Sequence, residues 1–362
     1  MSLPPLRWGI ISAGNISSEF VTDLLQPSWP EKRANHYIKA IGASSLAKAH
    51  AFAEEHVRPL LKKNYTPFFN PKCYGSYQEV YDDVDVQIVY IGTPHGFHKR
   101  DCLAAIAAGK HVLCEKPFTM NAKEAEEVFA AAEEKGVFVM EGMWTRFFPL
   151  TKALQKFIHD DQRLGTIYRT FCDFSLDIDI PSLPETSRYK DVALGAGSLL
   201  DIGIYSLTWG LVTLSGKVGD AAEEPEVTST QSLAHGVDVA SSFILHYSAT
   251  GRQAILTSTT NFPAKKNWAR IEGSKGEIVI DGSTPSNPSS FTFFPKDGGE
   301  DEHFEFEKPG QGFFWEADAV ACDIQAGRTQ NETMPWRETL RVMRIMDGIR
   351  RRGGARFPVD EW

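Results

Sequence analysis

His111-Val-Leu-Cys-Glu-Lys-Pro-Phe118 is a short apolar run that turns charged at its C-terminal end. Parallel α/β sheets deliver functional groups at that end of their strands, in the crevice where ligands bind. Lys116 stands there with Glu115 before it and Pro117, which fixes the backbone of the turn, after it. A lysine that only closes a strand and pairs with Glu115 is the plainer reading of these three residues alone. The segments on either side decide between the two.

Upstream, Leu6–Ile11 reads as a strand, followed by Ser12-Ala13-Gly14-Asn15-Ile16-Ser17 and a helical pattern through Leu25. This is the place of a dinucleotide fingerprint, G-x-G-x-x-G, whose helix N-terminus binds pyrophosphate. Ser12 takes the first glycine position, Gly14 keeps the second, and Ser17 takes the third. The second glycine lets backbone approach the phosphates. Taken alone the pattern fits a plain strand-turn-helix equally well. A second strand ends at Ile38–Ala43, and Ser44-Ser45 opens a helix where NAD-binding folds present Asp or Glu to the ribose. Two hydroxyls with Lys48 one turn on suit a 2′-phosphate. Ser45 also reads as an N-cap, and both roles can hold.

Val84–Ile91 is nearly continuous in apolar residues, as a strand covered on both faces should be. It runs into Gly92-Thr93-Pro94-His95, which would face the nicotinamide-ribose end of a dinucleotide; His98, inside the next helix, reads as structural. Helix Arg100–Ala108, strand His111–Glu115, helix Ala122–Lys135 and strand Val137–Glu141 complete an alternation that predicts a doubly wound parallel sheet.

After Glu141-Gly-Met-Trp144-Thr-Arg146-Phe-Phe-Pro149 the rhythm changes, placing a division at 143/144. Helix Leu150–His159 and strand Thr166–Ser175 precede Asp177–Leu194, rich in Pro and charge. This stretch reads either as a substrate lid or as a solvent-exposed crossover. Leu199–Leu214 is apolar nearly all round and so predicts a buried helix. Asp201 and Tyr205, four apart, share one face of it. A buried Asp needs a cation, for which Lys116 is the candidate, and a buried Tyr hydroxyl needs a partner. A satisfied structural Asp and a Tyr that only packs is the alternative. Strands at Glu226–Leu233, Asp238–Tyr247, Arg252–Thr260, Trp268–Glu272, Glu277–Asp281 and Phe291–Phe294 predict a mostly antiparallel sheet with one open face. Thr284–Ser290 reads as a flexible loop, and Ala317–Ala326 and Trp336–Arg351 as closing helices.

Composition sets the outer bounds. The 362 residues favour two domains. Hydrophobic content of 42% and charged content of 23% are those of a globular protein, and no run of about 18 apolar residues predicts a membrane span. A net charge of −9 argues against nucleic acid. Met-Ser-Leu-Pro-Pro carries no basic-then-apolar leader, and five scattered cysteines read as buried thiols, so the cytosol is the expected compartment. No metal-binding histidine spacing occurs on a helix.

Together these residues resemble the Gfo/Idh/MocA oxidoreductases, whose strand-end Glu-Lys-Pro is matched by Glu115, Lys116 and Pro117. Within the family, Glu141–Pro149 and Leu200-Asp-Ile-Gly-Ile-Tyr205 are similar to the branch of dimeric dihydrodiol dehydrogenases and fungal NADP-dependent D-xylose 1-dehydrogenases. Thr93-Pro94-His95, Gly-Ser-Lys-Gly-Glu277 and Phe314-Trp-Glu-Ala-Asp318 extend the likeness over nearly the whole chain. The resemblance implies a Rossmann domain over 1–143 and a C-terminal α+β domain over 144–362, with a large open sheet that pairs two copies. It implies NADP, with NAD as the lesser option. It also implies catalysis by Lys116, Asp201 and Tyr205 on a sugar or diol, D-xylose foremost. Cofactor contacts would come from Ser12, Gly14, Asn15, Ile16, Ser44, Ser45, Lys48, Thr93, Pro94, His95, His98, Glu115, Lys116, Trp144 and Arg146. Trp144, Phe174, Asp177 and Arg188 would line the substrate with the catalytic set. Two other readings stand beside this one. The first is a dihydrodiol dehydrogenase or a reductase of dicarbonyls or anhydro sugars. The second is a sensor that binds NADP without turnover, against which the joint presence of Lys116, Asp201 and Tyr205 speaks.

Overall fold

The computed structural model describes residues 4–64 and 70–362; the first three residues of the Met-Ser-Leu-Pro-Pro stretch read above lie outside them. The chain folds as two compact units. The first takes the chain up to Thr119, then Lys123–Trp144 and Lys308–Trp336. The second takes Met120–Ala122, Thr145–Glu307 and Arg337–Trp362.

In the first unit, β1 (Leu6–Ile11), α1 (Asn15–Leu24), β2 (His36–Gly42), α2 (Leu46–Phe52), α3 (Arg58–Asn64), β3 (Lys72–Tyr74), α4 (Tyr77–Asp82), β4 (Ile88–Ile91), α5 (His98–Ala107), β5 (His111–Glu115), α6 (Ala122–Lys135) and β6 (Val139–Gly142) alternate as expected. The sheet is all parallel, in the order β3-β2-β1-β4-β5-β6. Strand order reverses between β1 and β4, which opens the ligand crevice at their C-terminal ends. All four residues of β4 are buried, in keeping with helices on both faces. Its start is later than the sequence suggests. Val84 is 87% exposed, because Asp83 folds the chain into a turn, accepting from Asp85 N at 2.9 Å and Lys72 Nζ at 3.1 Å.

The second unit holds α7 (Pro149–Gln155), β7 (Ile167–Ser175), α8 (Ile204–Leu214), β8 (Glu226–Ala234), β9 (Val237–Tyr247), β10 (Arg252–Thr259), β11 (Ala269–Gly273), β12 (Gly276–Thr284), β13 (Asn287–Pro295) and β14 (Glu302–Glu305). Its sheet runs β14-β13-β12-β11-β7-β10-β9-β8, antiparallel except for β7 against β10. The α8 helix packs on β10, where a Cβ on Gly210 would stand 2.7 Å from Leu256. Hydropathy alone makes Val192–Leu214 long and apolar enough to cross a membrane, contrary to the sequence reading above. Yet 72% of that window is buried inside the protein, as in a core helix.

Three further expectations are corrected. The loop expected over Thr284–Ser290 is mostly strand: β12 and β13 continue to Thr284 and from Asn287, with register shifts at Gly282 that accommodate Pro288. The edge strand β14 escaped notice because Glu-His-Phe-Glu carries more charge than strand signal. The single division at 143/144 misses a return crossing: α9 (Phe313–Gln325) belongs to the first unit, while α10 (Trp336–Gly353) lies almost wholly in the second. Asp23 on α1 caps α9, accepting from Gln311 N at 3.0 Å, Gly312 N at 2.6 Å and Phe313 N at 2.9 Å. Asp318 on α9 in turn accepts from Trp29 Nε1 and Arg33 N at 2.9 Å and from Ala34 N at 3.1 Å.

Candidate active site

The crevice of the first unit is built from strand ends. Ser12, directly after β1, has φ of 90°, the left-handed conformation that favours glycine. The first position of the fingerprint therefore keeps its backbone shape with a serine in it, and the Ser12 hydroxyl bonds Tyr77. Gly14 is the N-cap of α1; a Cβ there would meet only Ser12 Oγ, at 3.5 Å. Packing does not demand that glycine, so its bareness leaves room for a ligand against the α1 amides of Asn15 and Ile16. The demand for close helix–strand approach falls elsewhere. Ser17 is buried, and a Cβ on Gly92 of the facing β4 turn would lie 2.5 Å from Ser17 Oγ. Glycine has moved from helix to strand.

Ser45 caps α2, its Oγ accepting from Lys48 N at 3.3 Å. Lys48 Nζ donates to Ser44 Oγ at 3.0 Å, gathering two hydroxyls and an ammonium with no carboxylate among them. Beside them lies a cavity of about 300 Å³, lined by Ser44, Ser76, Tyr77, Thr93, Pro94 and Arg100 among others. Ser76, Tyr77 and Arg100 carry no sequence motif, and reading the sequence missed them. Asp101 fixes this wall, accepting from Thr93 Oγ1 at 2.9 Å and Arg100 Nε at 2.8 Å. The Ser44–Lys48 cluster and this cavity could hold the phosphorylated adenosine end of NADP.

His95 is buried, its ring 5.7 Å from that of His98. His98 is buried too, one ring nitrogen 2.9 Å from Pro117 O and the other 2.7 Å from Thr93 O. It ties the β4 turn to the turn after Lys116, as a structural histidine would. Lys116 is half-buried at the end of β5. Glu115 is buried and accepts from Tyr90 Oη at 2.6 Å. Burial pushes its carboxyl up to about 7, against the pull of the Tyr90 hydroxyl and Lys116. Glu316, buried near Glu115 and Glu141 with neither oxygen hydrogen-bonded among the described residues, is pushed well above the usual carboxylate range by burial and by those charges. Trp144 stacks on Phe313 at 4.2 Å.

In the second unit, Asp201 and Tyr205 lie on the same helix, but it is not uniformly α. Leu199–Gly203 is a π turn, and α8 follows. Such turns concentrate at functional sites. The start of this helix is capped from β9: Asp238 Oδ2 accepts from Leu199 N at 2.7 Å and from the Ser198 and Ser241 hydroxyls at 2.8 and 2.9 Å. A Cβ on Gly197, at φ 135°, would stand 2.1 Å from Asp238 Oδ1, so the glycine run exists to admit this carboxylate. Tyr205 is buried with Phe174, ring centres 5.6 Å apart. Asp201 receives Arg188 Nη1 at 3.2 Å and Nη2 at 3.3 Å. Phe174 with Tyr205 and Arg188 with Asp201 thus form two contacts on one helix of this unit. Asp177 is exposed and pairs by a β-bridge with Asn261.

Arg146, expected among the cofactor contacts, is paired within the second unit. Its side chain is 3% exposed and its Nη2 lies 2.6 Å from Glu338 Oε1, inside a buried network that also takes Gly219 N and Arg341. Its charge is used to hold the fold. A roomier cavity, about 920 Å³, lies between the β11–β12 and β13–β14 turns and is lined by none of the expected site residues.

Comparisons with known proteins agree with this geometry. A family model described as oxidoreductase family, NAD-binding Rossmann fold, matches residues 6–143, and one described as GFO/IDH/MocA C-terminal domain matches 152–279. The chain is 33% identical to D-xylose 1-dehydrogenase (NADP(+)) of Hypocrea jecorina, covering 98% of this chain and 93% of that one. It is also 33% identical to trans-1,2-dihydrobenzene-1,2-diol dehydrogenase of Sus scrofa, covering 98% and 99%. Among solved structures, KijD10, a 3-ketoreductase from Actinomadura kijaniata in complex with NADP and TDP-benzene, superposes with a TM-score of 0.78. At 22% identity over 96% of this chain and 98% of that one, this match speaks to the fold alone.

Proposed function

The chain belongs to the GFO/IDH/MocA oxidoreductase family, and on that footing we propose that it oxidises an aldopyranose, D-xylose foremost, at C1 to the 1,5-lactone. NADP is the cofactor, and when bound it supplies the hydride acceptor. The observation that carries the reading is the helix start at Leu199–Tyr205: one carboxylate and one phenol, presented from a mostly apolar, buried helix and flanked by Phe174 and Arg188. A binding-only protein has no use for an acid/base pair in such a setting.

Tyr205 takes the hydroxyl proton of the reacting carbon as its hydride leaves, so that the C–O single bond becomes a carbonyl. A phenol ordinarily titrates near ~10, so the role calls for a neighbouring cation to favour the phenolate. Lys116 is assigned that charge, and Asp201 is assigned to keep the ammonium protonated and oriented. Ser12, Gly14, Asn15 and Ile16 would take the pyrophosphate, and Ser44, Ser45 and Lys48 the 2′-phosphate. Tyr205→Phe is the test: kcat should fall roughly 10²–10⁴-fold with little change in NADP affinity. Wild-type turnover in that variant refutes the role.

A second reading stays within the family. Whole-length likeness to a dihydrodiol dehydrogenase is as close in identity as that to the xylose enzyme. A panel of pentoses, hexoses and a trans-dihydrodiol, followed by absorbance at 340 nm, separates the two. We also propose a homodimer through the outer face of the large sheet. Ile244, Ile255, Phe171, Arg270 and Val279 are cross-strand partners in one row of that face, partly exposed and mostly apolar. Ile255→Asp should convert a dimer to a monomer by light scattering; a wild-type monomer would exclude this.

A further inference from the structure

The chain between β7 and the helix of Asp201 and Tyr205 has firm ends and an exposed middle. At its start, Leu176 N and Ile178 N donate to Thr259 O and Thr260 O, each at 2.9 Å. Ile178, Ile180, Val192 and Ala196 then form a small apolar cluster with Val237 and Val239 of β9, which draws both ends of the segment to one place. Between these ends residues 181–186 are largely exposed. Past them Arg188 reaches back to the helix and meets Asp201 in a fork, Nη1 to Oδ1 at 3.2 Å and Nη2 to Oδ2 at 3.3 Å. Tyr189 supports the guanidinium twice: its hydroxyl accepts from Nη2 at 2.7 Å, and its ring centre lies 4.1 Å from the guanidinium carbon.

We propose that Arg188 is a positioning residue that couples the 176–198 segment to Asp201, so that the carboxylate is oriented for the oxidation when the segment is seated. The inference rests on the role given to Asp201 above. A two-pronged guanidinium fixes the plane of a carboxylate as well as its place, which a lysine in the same position would not. The Arg188 side chain is 43% exposed and that of Asp201 14%, so the pair adds little to fold stability. What it supplies is orientation, and small misplacements of catalytic groups cost up to about 100-fold in rate.

The test uses the full chain with NADP. Arg188→Ala should keep NADP affinity and melting temperature while kcat/KM falls roughly 10- to 100-fold. Guanidinium ion at tens of millimolar should restore part of the loss, which a merely structural role would not allow. Arg188→Lys should fall between the two. Independently of turnover, amide hydrogen exchange over residues 181–191 should speed up in Arg188→Ala and in Asp201→Ala. The double variant should exchange no faster than either single one. Unchanged kcat/KM in Arg188→Ala, or additive effects on exchange, overturns the coupling while leaving the oxidation intact. A wild type that oxidises no sugar or diol overturns the oxidation instead, and the exchange measurement still decides the coupling.

Discussion

Replacing Arg146 with Met separates a fold-holding arginine from a cofactor-binding one. Its guanidinium lies 2.6 Å from Glu338 Oε1, with side-chain exposures of 3% and 1%. Removing one partner of a buried pair generally costs about 3–5 kcal/mol, because the other charge stays buried. Here Glu338 keeps Gly219 N at 2.8 Å and Arg341 Nη1 at 3.4 Å, so the lower end of that range applies, about 3 kcal/mol. With an m-value near the top of the usual range, this moves the urea midpoint of the second unit's transition by roughly 1 M. The assay is urea denaturation followed by tryptophan fluorescence, with NADP titrated in parallel. Adding Glu338→Gln to Arg146→Met should cost less than Arg146→Met alone, since the stranded carboxylate is gone. The reasoning is refuted if Arg146→Met leaves the midpoint in place and weakens NADP binding tenfold or more.

Three other outcomes follow from the same geometry. Folded Glu115 holds its proton up to about pH 7, whereas the unfolded chain loses it near 4.5, so stability should fall as pH rises through that window and level off above it. The fall amounts to roughly 3 kcal/mol for this group, and Glu115→Gln should remove it in urea titrations between pH 5 and 8. Gly92→Ala should destabilise by about 1–3 kcal/mol, chiefly through the contact with Ser17 Oγ and also against Tyr90 and Ile16, and Ser17→Gly in the same chain should recover part of the loss, as read by thermal melting. Asp238→Ala strands Leu199 N and leaves Ser198 with only the Ser258 hydroxyl and Ser241 with only Gln231 Nε2, so it should cost about 2 kcal/mol. It should also lower kcat by shifting the helix that carries Tyr205, without changing NADP affinity.

Much of the first unit could be read in the sequence because its strands are covered on both faces and its helices are amphipathic. His111–Glu115 and Ala122–Lys135 fall where the apolar pattern puts them. Ser45 is the cap that its position suggests. What escaped was written in polar residues far apart in the chain. Asp23 and Asp318 bring 308–336 back to the first unit across nearly 300 residues, and neither has a local pattern. Arg146 sits in a family-like motif, yet its partner Glu338 lies 192 residues on. Arg188, which meets Asp201 from a nearby loop, has no local pattern that announces the pair. The π turn at Leu199–Gly203 is likewise silent in a sequence whose periodicity fits an α-helix. The Asp177–Leu194 stretch has no regular apolar period, which is why it kept two readings open.

The central claim is hydride transfer from a sugar carbon, and deuterium reports it directly. D-Xylose carrying deuterium at C1, incubated with the wild-type chain and NADP, should yield NADPH labelled at C4 of the nicotinamide, with a slower rate than unlabelled sugar. NADPH formed without label, or no NADPH from D-xylose or from any sugar or diol of the panel, contradicts it.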